Sequence, residues 1–298
     1  MRKWEGTLLG REVANINYSI QINEITKSFN EKTVLESINL SIEKGEIFGL
    51  LGPSGAGKTT LIKILTGQLN ADHGTAIING INSHQLKGSD YSSFGIMMDN
   101  FGVYERLSCF DNLKIFARIY KIEDGKIHKA LTDVGLKSAI KTTAGNLSKG
   151  MKSRLRLARV FMIDPAILFL DEPTSGLDPS TAEEIGQMIL SEKAKGKTIF
   201  LTTHNMAEAE KLCNHIALLN DGKIVEYGTP KEICRRYNHQ KRLKIHLTDG
   251  TDKEIPHEPD VADLLCKLLK NNMVETIHST EPNLETVFME LTGKELSV

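Results

Sequence analysis

The stretch Gly52-Pro53-Ser54-Gly55-Ala56-Gly57-Lys58-Thr59 has the spacing G-x-x-x-x-G-K-[ST], and its surroundings leave few folds open. A largely apolar run, Glu46 to Leu51, precedes it, and a helix-like segment, Thr60-Leu61-Ile62-Lys63-Ile64-Leu65, follows. A strand, a glycine loop and a helix in that order turn successive backbone N–H groups toward phosphate oxygens. The helix start at Lys58 adds the positive end of its dipole to the same spot. The pattern implies a nucleoside triphosphate site in which Gly52 through Thr60 wrap the phosphates. Lys58 then reaches the β- and γ-phosphates, and the Thr59 hydroxyl ligates Mg²⁺.

The chain has 298 residues, enough for one large domain and a small one. A hydrophobic content of 40% and a charged content of 25% suit a globular protein. The formal net charge of −1 gives no electrostatic footprint for nucleic acid. Cys109, Cys213, Cys234 and Cys266 form no C-x-x-C pair, so neither zinc nor a disulfide framework is expected, and reduced thiols are the default. No apolar run approaches the ~18 residues that cross a bilayer. The basic start, Met1-Arg2-Lys3, has no hydrophobic core of a signal peptide behind it. Any membrane role therefore runs through a partner.

Residues 1–19 read as an extension, 20–236 as one domain and 237–298 as an accessory module. Alternation in Ile20–Ile25 and Ser37–Ile42 predicts strands, and 75–98 short strands about an Asn79-Gly80 turn. Helical periodicity covers Asn112–Tyr120, Lys126–Val134 and Met151–Met162. Ala166–Leu170 and Thr198–Leu201 read as buried parallel strands joined by a helix over Asp178–Lys195. Ile216–Leu219 and Lys223–Tyr227 make a hairpin around Asp221-Gly222. Beyond Tyr237 a ββαβα order, with Asn283 as the last N-cap and Gly293 as its terminator, predicts one packed layer pair.

Further motifs carry chemistry. The strand Ile167–Leu170 ends in Asp171-Glu172, where the first carboxylate can hold Mg²⁺ through water and the second can polarise an attacking water as general base. Ser148 suits the N-cap of the basic helix that follows it, and a capped helix start beside a hydroxyl is itself a phosphate-binding end. Asp178 with Pro179 behind it suits an N-cap as well. Thr202-Thr203-His204 ends the second buried strand.

Together these segments resemble the ATP-binding subunit of an ABC transporter. Leu147-Ser148-Lys149-Gly150-Met151 is similar to the family's L-S-G-G-Q signature, departing from it at Lys149 and Met151 and keeping Ser148 and Gly150. Ser175-Gly176-Leu177-Asp178 resembles the D-loop, and His204 matches the switch histidine that contacts the γ-phosphate. Phe29 lies where the family carries an aromatic residue that stacks on adenine. The tail Glu281–Gly293 resembles that of ABC-2-type drug and bacteriocin exporter subunits, although an amphipathic helix covering a small sheet gives the same pattern.

The resemblance implies an α/β fold: a P-loop NTPase ABC cassette, with a RecA-like core, antiparallel β and helical subdomains, plus a small C-terminal α+β module. It implies ATP and Mg²⁺, with catalysis by Glu172, His204 and Lys58. Nucleotide contacts fall to Phe29, to Gly52, Pro53, Ser54, Gly55, Ala56, Gly57, Lys58, Thr59 and Thr60, and to Ser148, Gly150 and Asp178. Metal contacts fall to Thr59, Asp99 and Asp171. A second copy of the chain contributes Ser148 and Gly150 across a head-to-tail homodimer, and separate transmembrane permease subunits are the driven partners. The implied place is cytoplasmic, held at the inner face of the cell membrane through those subunits. A soluble ABC ATPase without a transporter stays open as an alternative. Asp99 stands where the family carries the Q-loop glutamine; it is one methylene shorter and adds negative charge, with a hard oxygen retained. Asp99→Gln is therefore expected to change Mg²⁺ dependence or turnover, and an unchanged ATPase rate, metal dependence and coupled transport would refute that.

Overall fold

The computed structural model describes residues 18–98, 102–238, 242–256, 261–280 and 282–293. Strands β1 (Tyr18–Phe29) and β2 (Lys32–Glu43) pair antiparallel. β3 (Ile47–Leu51) runs into the glycine loop, and α1 (Lys58–Leu65) leaves it. β4 (His73–Ile78) and β5 (Ile81–Asn82) flank Asn79-Gly80, both at positive φ (47° and 81°) as a tight hairpin needs. After β6 (Phe94–Met97) come α2 (Cys109–Ile119), α3 (Asp124–Asp133) and α4 (Lys149–Phe161). β7 (Ile167–Asp171), α5 (Pro179–Ala194), β8 (Thr198–Thr203) and α6 (Met206–Leu212) follow. A hairpin of β9 (His215–Asn220) and β10 (Lys223–Gly228) leads to α7 (Pro230–Arg236). The C-terminal part holds β11 (Arg242–Leu247), β12 (Asp252–Pro256), α8 (Val261–Lys270), β13 (Val274–Thr280) and α9 (Leu284–Thr292).

The central sheet has the order β10-β9-β3-β8-β7-β6, parallel except for the β10 edge. Every residue of β3, β7 and β8 is buried, which is why their sequences are unbroken rather than alternating. One face carries Phe48, Leu50, Phe169 and Phe200 against α1 and the antiparallel sheet β2-β1-β4-β5. The other carries Leu168, Leu170, Ile199 and Leu201 against α2 through α5. Phe48 and Phe169 flank the Phe200 ring at centroid distances of 5.3 and 5.9 Å. In register, Leu51 lies beside Thr203 and Asp171 beside Thr202. The residues that follow these three strands, Gly52, Glu172 and His204, are thereby delivered to one edge of the sheet, outside the carboxyl ends of the strands.

The last helix departs from the packing expected of it. The small sheet β12-β11-β13 is covered by α8, through Ile245, Leu247 and Leu268. α9 instead buries Leu284, Val287 and Phe288 against Leu51, Met206, Ala209, Ile216, Leu218 and Ile233 of the main domain. Glu210 of α6 fixes its start by accepting the Leu284 N–H at 2.8 Å. The amphipathic pattern of Leu284–Thr292 names a buried face but not the surface that buries it. Phe288→Ala should cost about 3–5 kcal/mol. The check is a fall in the Tm of the main domain's unfolding, although residue 288 lies far in sequence from the nucleotide loop.

Candidate active site

The site is built where the carboxyl ends of β3, β7 and β8 open into a cleft of about 710 Å³. Gly57, at φ 113°, caps α1, and a Cβ there would meet the Val34 carbonyl oxygen at 2.8 Å. At Gly52 a Cβ would lie 2.2 Å from the Leu219 carbonyl oxygen, so only glycine lets the loop pass so close to β9. No acidic residue occupies the first turn of α1, which leaves its dipole directed at an anion. Pro53, Ser54, Gly55, Gly57, Lys58, Thr59 and Thr60 line the cleft. Gly52 and Ala56 lie behind them; Gly52 offers its carbonyl to Lys58 at 2.6 Å, and Ala56 is buried.

The charged groups form one connected set. The Lys58 ammonium, itself buried, also donates to the Pro53 carbonyl at 3.2 Å and pairs with Glu172 Oε1 at 3.1 Å. His204 Nδ1 lies 2.7 Å from Glu172 Oε2, leaving Nε2 as the ring nitrogen that Glu172 does not engage. Asp171 is buried and accepts the Thr59 hydroxyl at 2.8 Å and the Thr202 hydroxyl on its other oxygen. Glu172 holds a left-handed backbone (φ 51°), an arrangement costing on the order of 1–3 kcal/mol that the surrounding structure must impose. Its N–H is fixed by the Thr202 carbonyl at 3.0 Å.

Other expected residues are placed differently. Ser148 caps α4, accepting the Met151 N–H at 3.2 Å, and neither it nor Gly150 lines the cleft of its own chain. Gly150 packs on α5, where a Cβ would meet Thr181 Cγ2 at 2.7 Å. Asp178 caps α5 by accepting the Thr181 N–H at 2.9 Å, a bond that holds its carboxyl below the usual range, and it too stands outside the cleft. Ser175 and Gly176, three and two residues before it, line the cleft instead. Phe29 is 46% exposed with the Lys27 ammonium 5.4 Å from its ring centre, and it does not line the cleft. Asp99 lies outside the described residues, as does most of the N-terminal extension. Val34 lines the cleft and the Thr202 hydroxyl donates to Asp171; the sequence pattern assigns neither a role, and each is placed by its strand, β2 or β8.

Comparison with known proteins fits this geometry. The family model described as ABC transporter matches residues 35–175. A fluoroquinolones export ATP-binding protein of Mycobacterium tuberculosis is 37% identical over 98% of this chain and 100% of its own. The chain belongs to the ABC transporter family. It is an ATP-binding cassette, an ATPase coupled to transport. The linearmycin resistance ATP-binding protein of Bacillus subtilis is 29% identical over 93% of this chain and 99% of its own length. The solved structure of an ATP-binding subunit of an ABC transporter superposes with a TM-score of 0.66 at 27% identity, covering 73% of this chain and 92% of that chain. The central parallel sheet, the antiparallel sheet and the helices α2–α4 are the core and the two subdomains of that fold. Cassettes of this kind dimerise and act with transmembrane partners. Among the described residues no helix is long and apolar enough to cross a membrane.

Proposed function

We propose that the cleft is half of an ATP-hydrolysing site, completed by Ser148 and Gly150 of a second copy, and that the pair powers export of a drug, antibiotic peptide or similar amphiphile. The carrying observation is the joint contact of Glu172 with Lys58 and His204 in one cleft, which Ser148 and Gly150 of the same chain do not line. Glu172 takes the proton of an in-line water, which needs little else beyond placement and neutralised phosphate charge. Arriving phosphate oxygens replace Glu172 as partners of Lys58 and free the carboxylate for that water. His204 donates to the γ-phosphate through Nε2–H, both ring nitrogens carrying a proton while Nδ1 keeps Glu172 as its partner. The Thr59 hydroxyl and the Asp171 carboxylate, 2.8 Å apart, are hard oxygen donors on one side of the cleft and fit Mg²⁺, which prefers one or two protein oxygens with phosphates and waters. Bound there, the ion would offset charge on the β- and γ-phosphates. Phe29 offers an exposed ring for the adenine, and Asp99 links the site to the membrane partners.

The subunit then works at the cytoplasmic face of the cell membrane, attached through a separate permease. The relatives' names, which cite fluoroquinolone export and linearmycin resistance, support an exporter of a drug or antibiotic. The test is co-expression with a six-span permease encoded beside it. The pair should co-purify and raise the inhibitory concentration of a fluoroquinolone or of linearmycin, with the rise lost in Glu172→Gln. Recovery of the chain with ribosomes, and without any permease, would overturn the transporter reading.

A further inference from the structure

Glu208 does something its position in the sequence does not require. It is the third residue of α6, where a glutamate ordinarily turns back to accept the N–H of the capping residue. The same chain shows that ordinary arrangement at α7, where Thr229 N–H donates to Glu232 and Glu232 N–H donates to the Thr229 hydroxyl, both at 3.2 Å. At α6 only half of it exists. Glu208 N–H donates to the Asn205 side chain at 3.1 Å, but the Asn205 N–H is taken by the Thr203 hydroxyl at 3.0 Å. The Glu208 carboxylate is released from capping and points inward. One oxygen accepts the Thr174 hydroxyl and the other the Thr203 hydroxyl, each at 2.8 Å.

Both hydroxyls belong to buried threonines whose places in the chain are telling. Thr203 immediately precedes His204, and Thr174 follows Glu172 by two residues. The carboxylate therefore straps together the two backbone segments that carry the Glu172–His204 pair. The segment on the Glu172 side is anchored a second time, where Ser153 of α4 donates to the Pro173 carbonyl at 2.8 Å. This strap is kept against a cost. Burial pushes the Glu208 carboxyl up from its ordinary value, and the nearby Glu172 charge adds to that, whereas the two threonine hydroxyls and His204 oppose it. A glutamate used only to start a helix would not be held inward at that cost.

We propose that Glu208 is a positioning residue for hydrolysis, holding Glu172 and His204 in their mutual geometry through Thr174 and Thr203. The proposal rests on the catalytic roles given above to Glu172 and His204. It predicts that Glu208→Ala lowers kcat on the order of tenfold or more, since a displacement of about 1 Å at a reacting group is costly. KM for ATP should stay within about twofold, because the glycine loop and Lys58 are untouched. Glu208→Gln should recover most of the rate: its carbonyl oxygen can accept from Thr203 while its amide N–H donates to the Thr174 oxygen.

The measurement is steady-state ATPase of the intact chain for wild type, Glu208→Ala and Glu208→Gln, with Tm taken on each and Glu172→Gln run beside them. A lowered kcat with near-constant KM in the alanine variant, restored by glutamine, supports the strap. An unchanged kcat in Glu208→Ala overturns it, and so does a glutamine variant as slow as the alanine one. A raised KM that tracks a fallen Tm, with kcat intact, assigns Glu208 a purely structural role and overturns it as well. Wild-type turnover in Glu172→Gln would instead remove the base assignment, a failure that reads out independently of Glu208.

Discussion

Glu172→Gln should bind ATP at least as tightly as the wild type, form the ATP-held dimer and lose turnover by roughly a hundred- to ten-thousandfold, the range associated with a positioned general base. The side chain keeps its size, so the left-handed turn at residue 172 and its N–H bond to the Thr202 carbonyl are retained. What changes is charge. The carboxylate that pairs with Lys58 at 3.1 Å and meets His204 at 2.7 Å becomes an amide that cannot take a proton from water. Removing a negative charge beside the γ-phosphate also frees Lys58 to serve the nucleotide alone, which favours binding. Equilibrium binding of a fluorescent ATP analogue, chromatographic mass with ATP and Mg²⁺, and phosphate release together check it. A wild-type rate would remove Glu172 from the base role.

Ser148→Asp separates the two halves of the site. Aspartate caps a helix as well as serine does, so α4 should start at the same residue and Tm should move little. The added carboxylate, however, would sit where the start of α4 meets the γ-phosphate of the opposite chain, turning an attraction into repulsion. ATP binding to a single chain should be unaffected, because Ser148 does not line that chain's cleft. Dimerisation and turnover should both fall on the order of tenfold or more, the scale of one lost charge-assisted contact and one added repulsion. Parallel titration, sedimentation and ATPase assays of this variant distinguish a defect in closing the dimer from one in binding nucleotide. An ATPase rate equal to wild type would place Ser148 outside the site.

The parts legible in the sequence share a physical cause. Gly52–Thr59, Asp171-Glu172 and His204 all directly end or follow parallel strands, and buried strands announce themselves as unbroken apolar runs. Once those strands are adjacent, the residues after them must converge. Helices α2 to α5 were visible through their periodicity, with boundaries displaced by a few residues. The short helices α6 and α7, seven residues each, gave no periodic signal and owe their starts to the caps Asn205 and Thr229.

What stayed hidden depends on contacts between distant segments. Thr202 matters because β8 lies in register with β7, and Glu208 because Asn205 surrenders its N–H to Thr203. The seat of α9 against β3, α6 and α7 was equally invisible, since a stripe of Leu284, Val287 and Phe288 does not say what it packs on. At 175–178 the resemblance names Asp178, whose side chain lies outside this chain's cleft. Ser175 and Gly176 line it, while Asp178 caps α5.

The central claim, that each ATP is served by the glycine loop of one chain and the start of α4 of another, is tested most directly by mixing two inactive variants. Lys58→Ala chains lack a working loop, and Ser148→Asp chains lack a working α4 start. Each alone should hydrolyse ATP at about a tenth of the wild-type rate or less. In a mixed pair, the loop of the Ser148→Asp chain faces the intact α4 of the Lys58→Ala chain, which restores one complete site. Random pairing of a head-to-tail dimer then predicts recovery of about a quarter of the wild-type rate in an equimolar mixture. A mixture no faster than the sum of its two components would contradict the shared site.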